Sequence, residues 1–442
     1  MLKLFDTVME PALAEPIDLA PRRFGMVTTC DGPIVEASGL ALPVGALCTI
    51  AQGEARTYRG EVIGFRQGRT VMSLLGDAVM LRPGARVRPE GHAGLLNVGP
   101  KFLGRAVDAL GQPIDGGGVV RAKAYWPAHG ERSGALERGR VTTIFPTGIR
   151  AIDAVNTLGI GQRVGIMAGS GVGKSVLIDM IADGAQADVV VVGLIGERAR
   201  EVSDFVGRHM TGDRAKKTAV IAVPADHAPN LRLRGAMLAT SLAESFRAEG
   251  KRGLLILDSL TRVAHAAREI AFMLGESGAA RGYPPSALAT ITKLVERAGN
   301  SVQSGGSITG IYTVLADGDD TNDPVVDTAR SILDGHIVLS RDIAQRGRYP
   351  AIDVPASLSR VMAEVTTPEH VEAGRVLRAL IATLNANRDL VTMGAYKPGA
   401  DPALDRALAL ESKIEAFLSQ DRHQRADYEN SLQELLGLVT SG

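Results

Sequence analysis

The eight residues Ala168-Gly-Ser-Gly-Val-Gly-Lys-Ser175 carry the strongest chemical signal in this chain. Glycines at alternate positions allow a turn in which the backbone N–H groups of Gly169, Ser170, Gly171, Val172 and Gly173 face one anion. Lys174 adds a charge for β- and γ-phosphates, and Ser175 offers a hydroxyl to Mg²⁺. Such a site needs an acidic group for the metal at the end of another strand. Asp258 closes the apolar run GLLIL. Alone, an aspartate there reads as a helix N-cap; beside a phosphate loop it reads as a metal ligand acting through water. Arg262, four residues on, can either turn toward phosphate or lie exposed on its helix. Glu197, in Gly196-Glu-Arg-Ala-Arg-Glu201, follows the apolar run DVVVVGLIG. A carboxylate at that strand end can polarise an attacking water, worth roughly 10²–10⁴ in rate. By spacing alone, a solvated charge cluster is the stronger reading of these residues.

The elements that must position these groups are legible from pattern. Between 146 and 362, apolar runs (RVGIMA, DVVVVGLIG, TAVIAVPA, GLLILDSL, SITGIYTVLAD, HIVLSR) alternate with helical segments such as LRGAMLATSLAESFRAEG. Near-continuous apolar strands between helices predict an α/β fold, a parallel sheet covered on both faces. Residues 25–94 have short β-rich runs (MVTTC, ALCTIA, YRGEVIGF, TVMSLLG) punctuated by Gly, Pro and Asp, the pattern of a small β-barrel domain. Residues 95–145 read as a connector and 363–442 as a helical domain. Residues 1–24 form a tail in which Leu2, Phe5 and Met9 fall at helical spacing, with Leu13 beyond Pro11; it reads as a frayed or core-docked end or a short partner-docking helix.

Composition excludes several classes. The 442 residues carry 49 Lys+Arg against 49 Asp+Glu, a balance unlike that of a protein coating nucleic acid. The two cysteines, Cys30 and Cys48, sit in no zinc-type spacing, and a disulfide scaffold is excluded at this length. No apolar run reaches the ~18–20 residues of a membrane helix, and MLKLFDTVMEPALAEP is no secretory signal. A cytoplasmic protein is expected.

Together these residues resemble the α/β-subunit family of rotary-type hexameric ATPases. The resemblance rests on GRAVDALGQPIDG (104–116), FPTGIRAIDAVNTLGIGQRVGIMAGSGVGKS (145–175), GERARE (196–201), LDSLTR (257–262) and PAIDVPASLS (350–359). Within the family the chain looks most like flagellar protein-export ATPases and their injectisome secretion relatives, through AREIAFMLGESGAARGYPPSALATITKLVERAGN (267–300) and the short helical end. The resemblance implies a RecA-like P-loop core, an N-terminal barrel and a C-terminal helical domain. It implies ATP with Mg²⁺, a homohexamer, and a flagellar export role rather than an injectisome one. A rotary synthase catalytic subunit is disfavoured by the absence of an acidic DELSEED-type loop. A ring RNA helicase is disfavoured because the barrel region holds only Tyr58 and Phe65 for base stacking.

Roles carried over by the resemblance are specific. Glu197 matches the catalytic glutamate, where non-catalytic subunits have Gln. Arg198 matches a phosphate-sensing neighbour, and Arg262 the arginine of the metal-aspartate strand end. Arg360 matches the finger that reaches a neighbouring subunit's γ-phosphate, and Tyr349 the tyrosine that stacks on adenine. Gly282-Tyr283-Pro284-Pro285 falls on a loop facing the ring's pore. Implied partners are a stator-like regulator, a central-stalk-like coiled-coil protein, the export gate and chaperone–substrate complexes, with peripheral contact at the membrane-embedded export apparatus and no nucleic acid.

Overall fold

A computed structural model describes residues 24–53, 56–76, 80–91, 94–122, 124–131, 134–315 and 323–440. The tail that carries Leu2, Phe5 and Met9 lies outside the described residues. The chain divides between Ala93 and Gly94 into two compact units.

The first unit is a closed six-stranded barrel. Its strands are β1 (Gly25–Asp31), β2 (Ile34–Ser38), β3 (Leu47–Gln52), β4 (Arg56–Arg66), β5 (Arg69–Leu74) and β6 (Arg86–Glu90), in the order β1-β2-β5-β4-β3-β6. Alternate residues point inward, so Val35, Ala37, Cys48, Ile50, Met72 and Val87 fill the interior. The four β-rich runs of the sequence lie in β1, β3, β4 and β5. β2 and β6 close the barrel, and β6 (RVRPE) was invisible to apolar patterning because only Val87 is buried in it. Both cysteines are free, Cys48 inside the barrel and Cys30 half-buried.

The second unit is built on a ten-stranded sheet. Its long strands are β7 (Arg163–Ala168), β8 (Val189–Ile195), β9 (Thr218–Val223), β10 (Arg252–Asp258), β11 (Ser307–Leu315), β12 (Gly335–Leu339) and β13 (Ile352–Ser359), in the order β13-β12-β7-β11-β10-β8-β9. All pairings along this path are parallel except β12 with β13. The antiparallel edge refines the all-parallel expectation. Pro355, which cannot donate to a ladder, is tolerated there because β13 has a free side. Residues 95–145 contribute the strand Ala106–Val107, which pairs with β9, and a two-stranded ladder of Leu95–Val98 with Ala124–Pro127.

Successive side chains of a strand face opposite layers. Val190, Val192 and Leu194 of β8 share a core with Leu177 and Ile178 of helix α1 (Lys174–Gly184). Gly193, between them, faces helix α3 (Pro229–Ala248): a methyl on it would stand 3.2 Å from the Ala239 Cβ. Helices therefore cover both faces, as the near-continuous apolar strands require. Helix α2 (Ala199–His209) follows β8, and α4 (Leu260–Met273) follows β10. The long C-terminal helices α5 (Pro368–Ala386), α6 (Pro402–Leu418) and α7 (Tyr428–Thr440) join the α1-side core through Leu377, Ile381, Leu410, Ile414 and Leu435. Among the described residues no helix is long and apolar enough to cross a membrane.

Candidate active site

Ala168, Ile195, Asp258, Leu315 and Leu339 end five parallel strands at one edge of the sheet, the edge where open α/β sheets bind ligands. The phosphate-loop sequence spans the gap from β7 to α1. Gly171 and Gly173 take φ of 78° and 92°, the left-handed region, and Gly173 caps the helix. Val172 is 2% exposed, so its side chain anchors the loop in the core and only its backbone can meet a ligand. Ser170 and Ser175 are exposed.

Lys174, Glu197 and Asp258 converge. The Lys174 Nζ donates to Asp258 Oδ1 at 2.5 Å and to Glu197 Oε1 at 3.2 Å. Thr313, buried in β11, donates its hydroxyl to the same Asp258 oxygen at 2.5 Å. Burial works against the Lys174 charge, but the Asp258 and Glu197 carboxylates outweigh it and hold the ammonium above the ordinary lysine range. Burial, and then the neighbouring Asp258 charge, push Glu197 up to about 7, against the pull of Lys174. A carboxylate tuned to that range suits proton transfer near neutrality.

Gly196 holds Glu197 in place. It has φ of 73°, and a methyl on it would meet the Arg262 Cβ at 2.7 Å. The Arg262 stem thus lies over the Gly196 backbone, beside Glu197. Ser259 caps α4 by accepting from the Arg262 N–H at 3.3 Å.

Tyr349 comes to the same place from far along the chain. Its ring lies against the phosphate loop, 3.6 Å from where a Gly173 Cβ would stand, and is half exposed. Its carbonyl accepts from the Gln420 N–H at 2.9 Å. Gln420, buried between α6 and α7, also accepts from the Arg150 N–H and donates to the Gly148 carbonyl. Two residues on, Arg422 lines a cavity of about 220 Å³ with Ser175, Val176, Glu197 and Asp258.

Two expected members stand apart. The Arg198 side chain is 86% exposed and reaches toward Glu201, not into the cluster. Arg360 lies beyond Ser359, which pairs with Gly335 at the opposite edge of the sheet, and its Nη2 donates to the Arg330 carbonyl at 3.2 Å. Tyr283 is 4% exposed, stacked under the Arg268 guanidinium at 4.8 Å, and Pro284 is buried beside it, so of the expected pore-facing residues only Gly282 and Pro285 are exposed. Tyr396 bonds to Asp405 at 2.8 Å and to the Asp401 carbonyl. Sequence reasoning missed Thr313 and Arg422. A hydroxyl within the apolar strand SITGIYTVL was a usable signal for Thr313. Arg422 gave none, because only the fold brings it near the loop.

The donor set fits a hard divalent cation. Ser175 and Asp258 offer two oxygens, and Mg²⁺ takes few protein ligands, filling its remaining positions with phosphate oxygens and water. The sheet edge therefore gathers a glycine turn at a helix N-terminus, a lysine, a carboxylate raised toward neutrality and an aromatic face.

Comparison with known proteins shows the family. Residues 148–359 match the model for the ATP synthase alpha/beta family, nucleotide-binding domain, and residues 366–437 the model for the T3SS EscN ATPase C-terminal domain. The chain is 48% identical to the flagellum-specific ATP synthase of Salmonella typhimurium, over 94% of this chain and 93% of that protein. It is 41% identical to the type 3 secretion system ATPase of Xanthomonas euvesicatoria, over 99% and 98%. The assembled ATPase EscN from the enteropathogenic E. coli type III secretion system superposes with a TM-score of 0.88 at 38% identity, covering 94% of this chain and 100% of that one. The chain belongs to the flagellar and type III secretion ATPases of the ATP synthase alpha/beta family, and it binds and hydrolyses ATP.

Proposed function

We propose that this ATPase is the homohexameric motor of a flagellar export apparatus, at the cytoplasmic face of the membrane, coupling hydrolysis to chaperone release and substrate export. The observation that carries the catalytic part is the convergence of Lys174, Glu197 and Asp258 beside the phosphate loop. The flagellar assignment is supported by the 48% identity to a flagellar relative over nearly the whole chain.

The loop amides and Lys174 bind the β- and γ-phosphates. Ser175 and Asp258 would hold Mg²⁺, which when bound would supply charge neutralisation at the phosphate oxygens. Glu197 accepts a proton from water aligned with the γ-phosphorus, Arg262 supports Glu197 through Gly196, and Arg360 enters from a neighbouring subunit. Arg198 senses phosphate only after turning inward. A central-stalk-like partner is supported by the solved complex of EscN with its central stalk EscO. The stator-like regulator, the export gate and chaperone–substrate complexes complete the partner set.

Deleting the gene in its host tests the assignment. Export of hook and filament proteins should stop, and undisturbed flagella would overturn the flagellar reading. Loss of needle-protein secretion instead would establish the injectisome reading, which the EscN-type C-terminal match favours.

Tyr349 gives a second test. Stacking of a base on an aromatic ring is worth about 1–3 kcal/mol by alanine substitution. Tyr349→Ala should therefore weaken ATP binding roughly tenfold or more, with kcat at saturation nearly unchanged. Titration with a fluorescent ATP analogue reads this directly. Unchanged affinity with reduced kcat would make the ring a prop for Gly173 instead.

A further inference from the structure

The cavity that begins at Ser175, Glu197 and Asp258 runs between α1 and α2, and Asp179, Phe205 and Arg208 also line it. Beside these last residues the two helices are fastened together. His209, the last residue of α2, is 4% exposed. Its Nε2 stands 2.9 Å from Asp179 Oδ1 and its Nδ1 3.2 Å from Asp183 Oδ1. Asp179 and Asp183 lie four apart on α1 and so share one face. The His209 ring stacks on Phe205 with centroids 4.2 Å apart. Arg208 takes the second oxygen of Asp179 at 2.9 Å, and Arg214 the second oxygen of Asp183 at 2.6 Å. The ring is hydrogen-bonded to Asp179, whereas Asp183 Oδ1 lies at ion-pair distance from it without a hydrogen bond.

The other end of α2 is held more loosely. Its N-cap, Arg198, makes no side-chain capping bond, and the Arg198 and Arg200 side chains are 86% and 91% exposed. Glu197 immediately precedes that end. The helix that follows the reacting carboxylate is therefore pinned polar group to polar group at its far end, onto the helix that begins with Lys174. Glu197 is also tied to the sheet, its carbonyl accepting from the Ala225 N–H at 3.2 Å, so a tilt of α2 about this point would act on Glu197 through Arg198.

We infer that His209 is a positioning residue: hydrogen-bonded to Asp179 and standing 3.2 Å from Asp183, it sets the stance of α2 on α1, and hence of Glu197 relative to Lys174. The inference rests on the reading of Glu197 as the water-activating group. It assigns a role in turnover to a histidine at the end of α2 remote from Glu197.

Misplacement of a reacting group by about 1 Å costs up to about 10²-fold, whereas ATP binding through the loop amides does not depend on α2. The full-length chain is measured for steady-state phosphate release and for the affinity of a non-hydrolysable fluorescent ATP analogue. His209→Gln should lower kcat roughly tenfold with analogue affinity unchanged. Asp179→Asn should do the same, and the double variant should be no slower than either single, since the pair acts as a unit. Multiplying losses, an unchanged kcat, or a fall in affinity matching the fall in kcat would each overturn the proposal. Should His209→Gln fail to fold, Asp183→Asn, whose side chain is partly exposed, carries the same test. Glu197→Gln is measured alongside. A wild-type rate there overturns the reading of Glu197 and this inference with it. A slow Glu197→Gln beside a fast His209→Gln overturns the inference alone.

Discussion

Arg360→Ala should lower turnover by about 10³- to 10⁵-fold while leaving ATP binding to the same chain's phosphate loop intact. That is the range for an arginine that meets charge growing on the transferred phosphoryl group. Within one chain the residue cannot serve. The phosphate loop begins at Ala168, level with Leu339, whereas Arg360 follows Ser359, level with Gly335 at the opposite end of β12. If it acts, it acts on another copy. Mixing Arg360→Ala with Lys174→Ala before assembly exposes this, since each variant alone is dead and some mixed interfaces pair an intact loop with an intact arginine. Phosphate release should reappear on mixing and scale with the share of such interfaces. Full activity of Arg360→Ala by itself would end the assignment. No recovery in well-assembled mixed rings would point to concerted turnover around the ring.

Glu197→Gln should bind ATP normally and hydrolyse it roughly 10²- to 10⁴-fold more slowly, because the amide keeps the shape and loses the base. The pH profile adds a second readout. Burial and the Asp258 charge raise Glu197 to about 7, so the working carboxylate is depleted below that pH. The acid limb of kcat/KM should therefore lie near neutrality, with activity rising as pH rises through it. Glu201 contributes to the same upward push. Glu201→Gln should move the limb to lower pH, while Glu197→Gln should abolish it. Lost ATP binding with preserved turnover per bound ATP would make Glu197 a structural charge instead.

The parts of this site visible in sequence are those that obey local rules. The phosphate loop declares itself because a strand, a glycine turn and a helix are contiguous. Asp258 does so because an apolar run stops at it. Glu197 stood between two readings until the fold buried it against Lys174, since spacing says nothing about burial. The distant members needed tertiary structure: Thr313 looks like any hydroxyl in a strand, and Arg422 like any exposed arginine. The same limit hid strands β2 and β6, which close the barrel by pairing rather than by composition. His209 reads as an ordinary helix-end histidine until α1 is laid beside it.

Strand β13 has a mechanical meaning. Tyr349, just before it, rests on the chain's own phosphate loop, and Arg360 follows its last residue at the other edge of the sheet. Ten residues join the two, and the strand bulges between Asp353 and Leu358: its ends pair with Leu339 and Gly335, so they stand only roughly 13 Å apart. If, as proposed, Tyr349 holds the base and Arg360 reaches the next subunit's phosphate, that strand is a link strung between consecutive fuel chambers of the ring. A push at one end reaches the other through the bulge between Asp353 and Leu358. The timing of six firings would then be written into the stiffness of one edge strand, and lengthening or softening it should desynchronise the ring before it stops any single chamber.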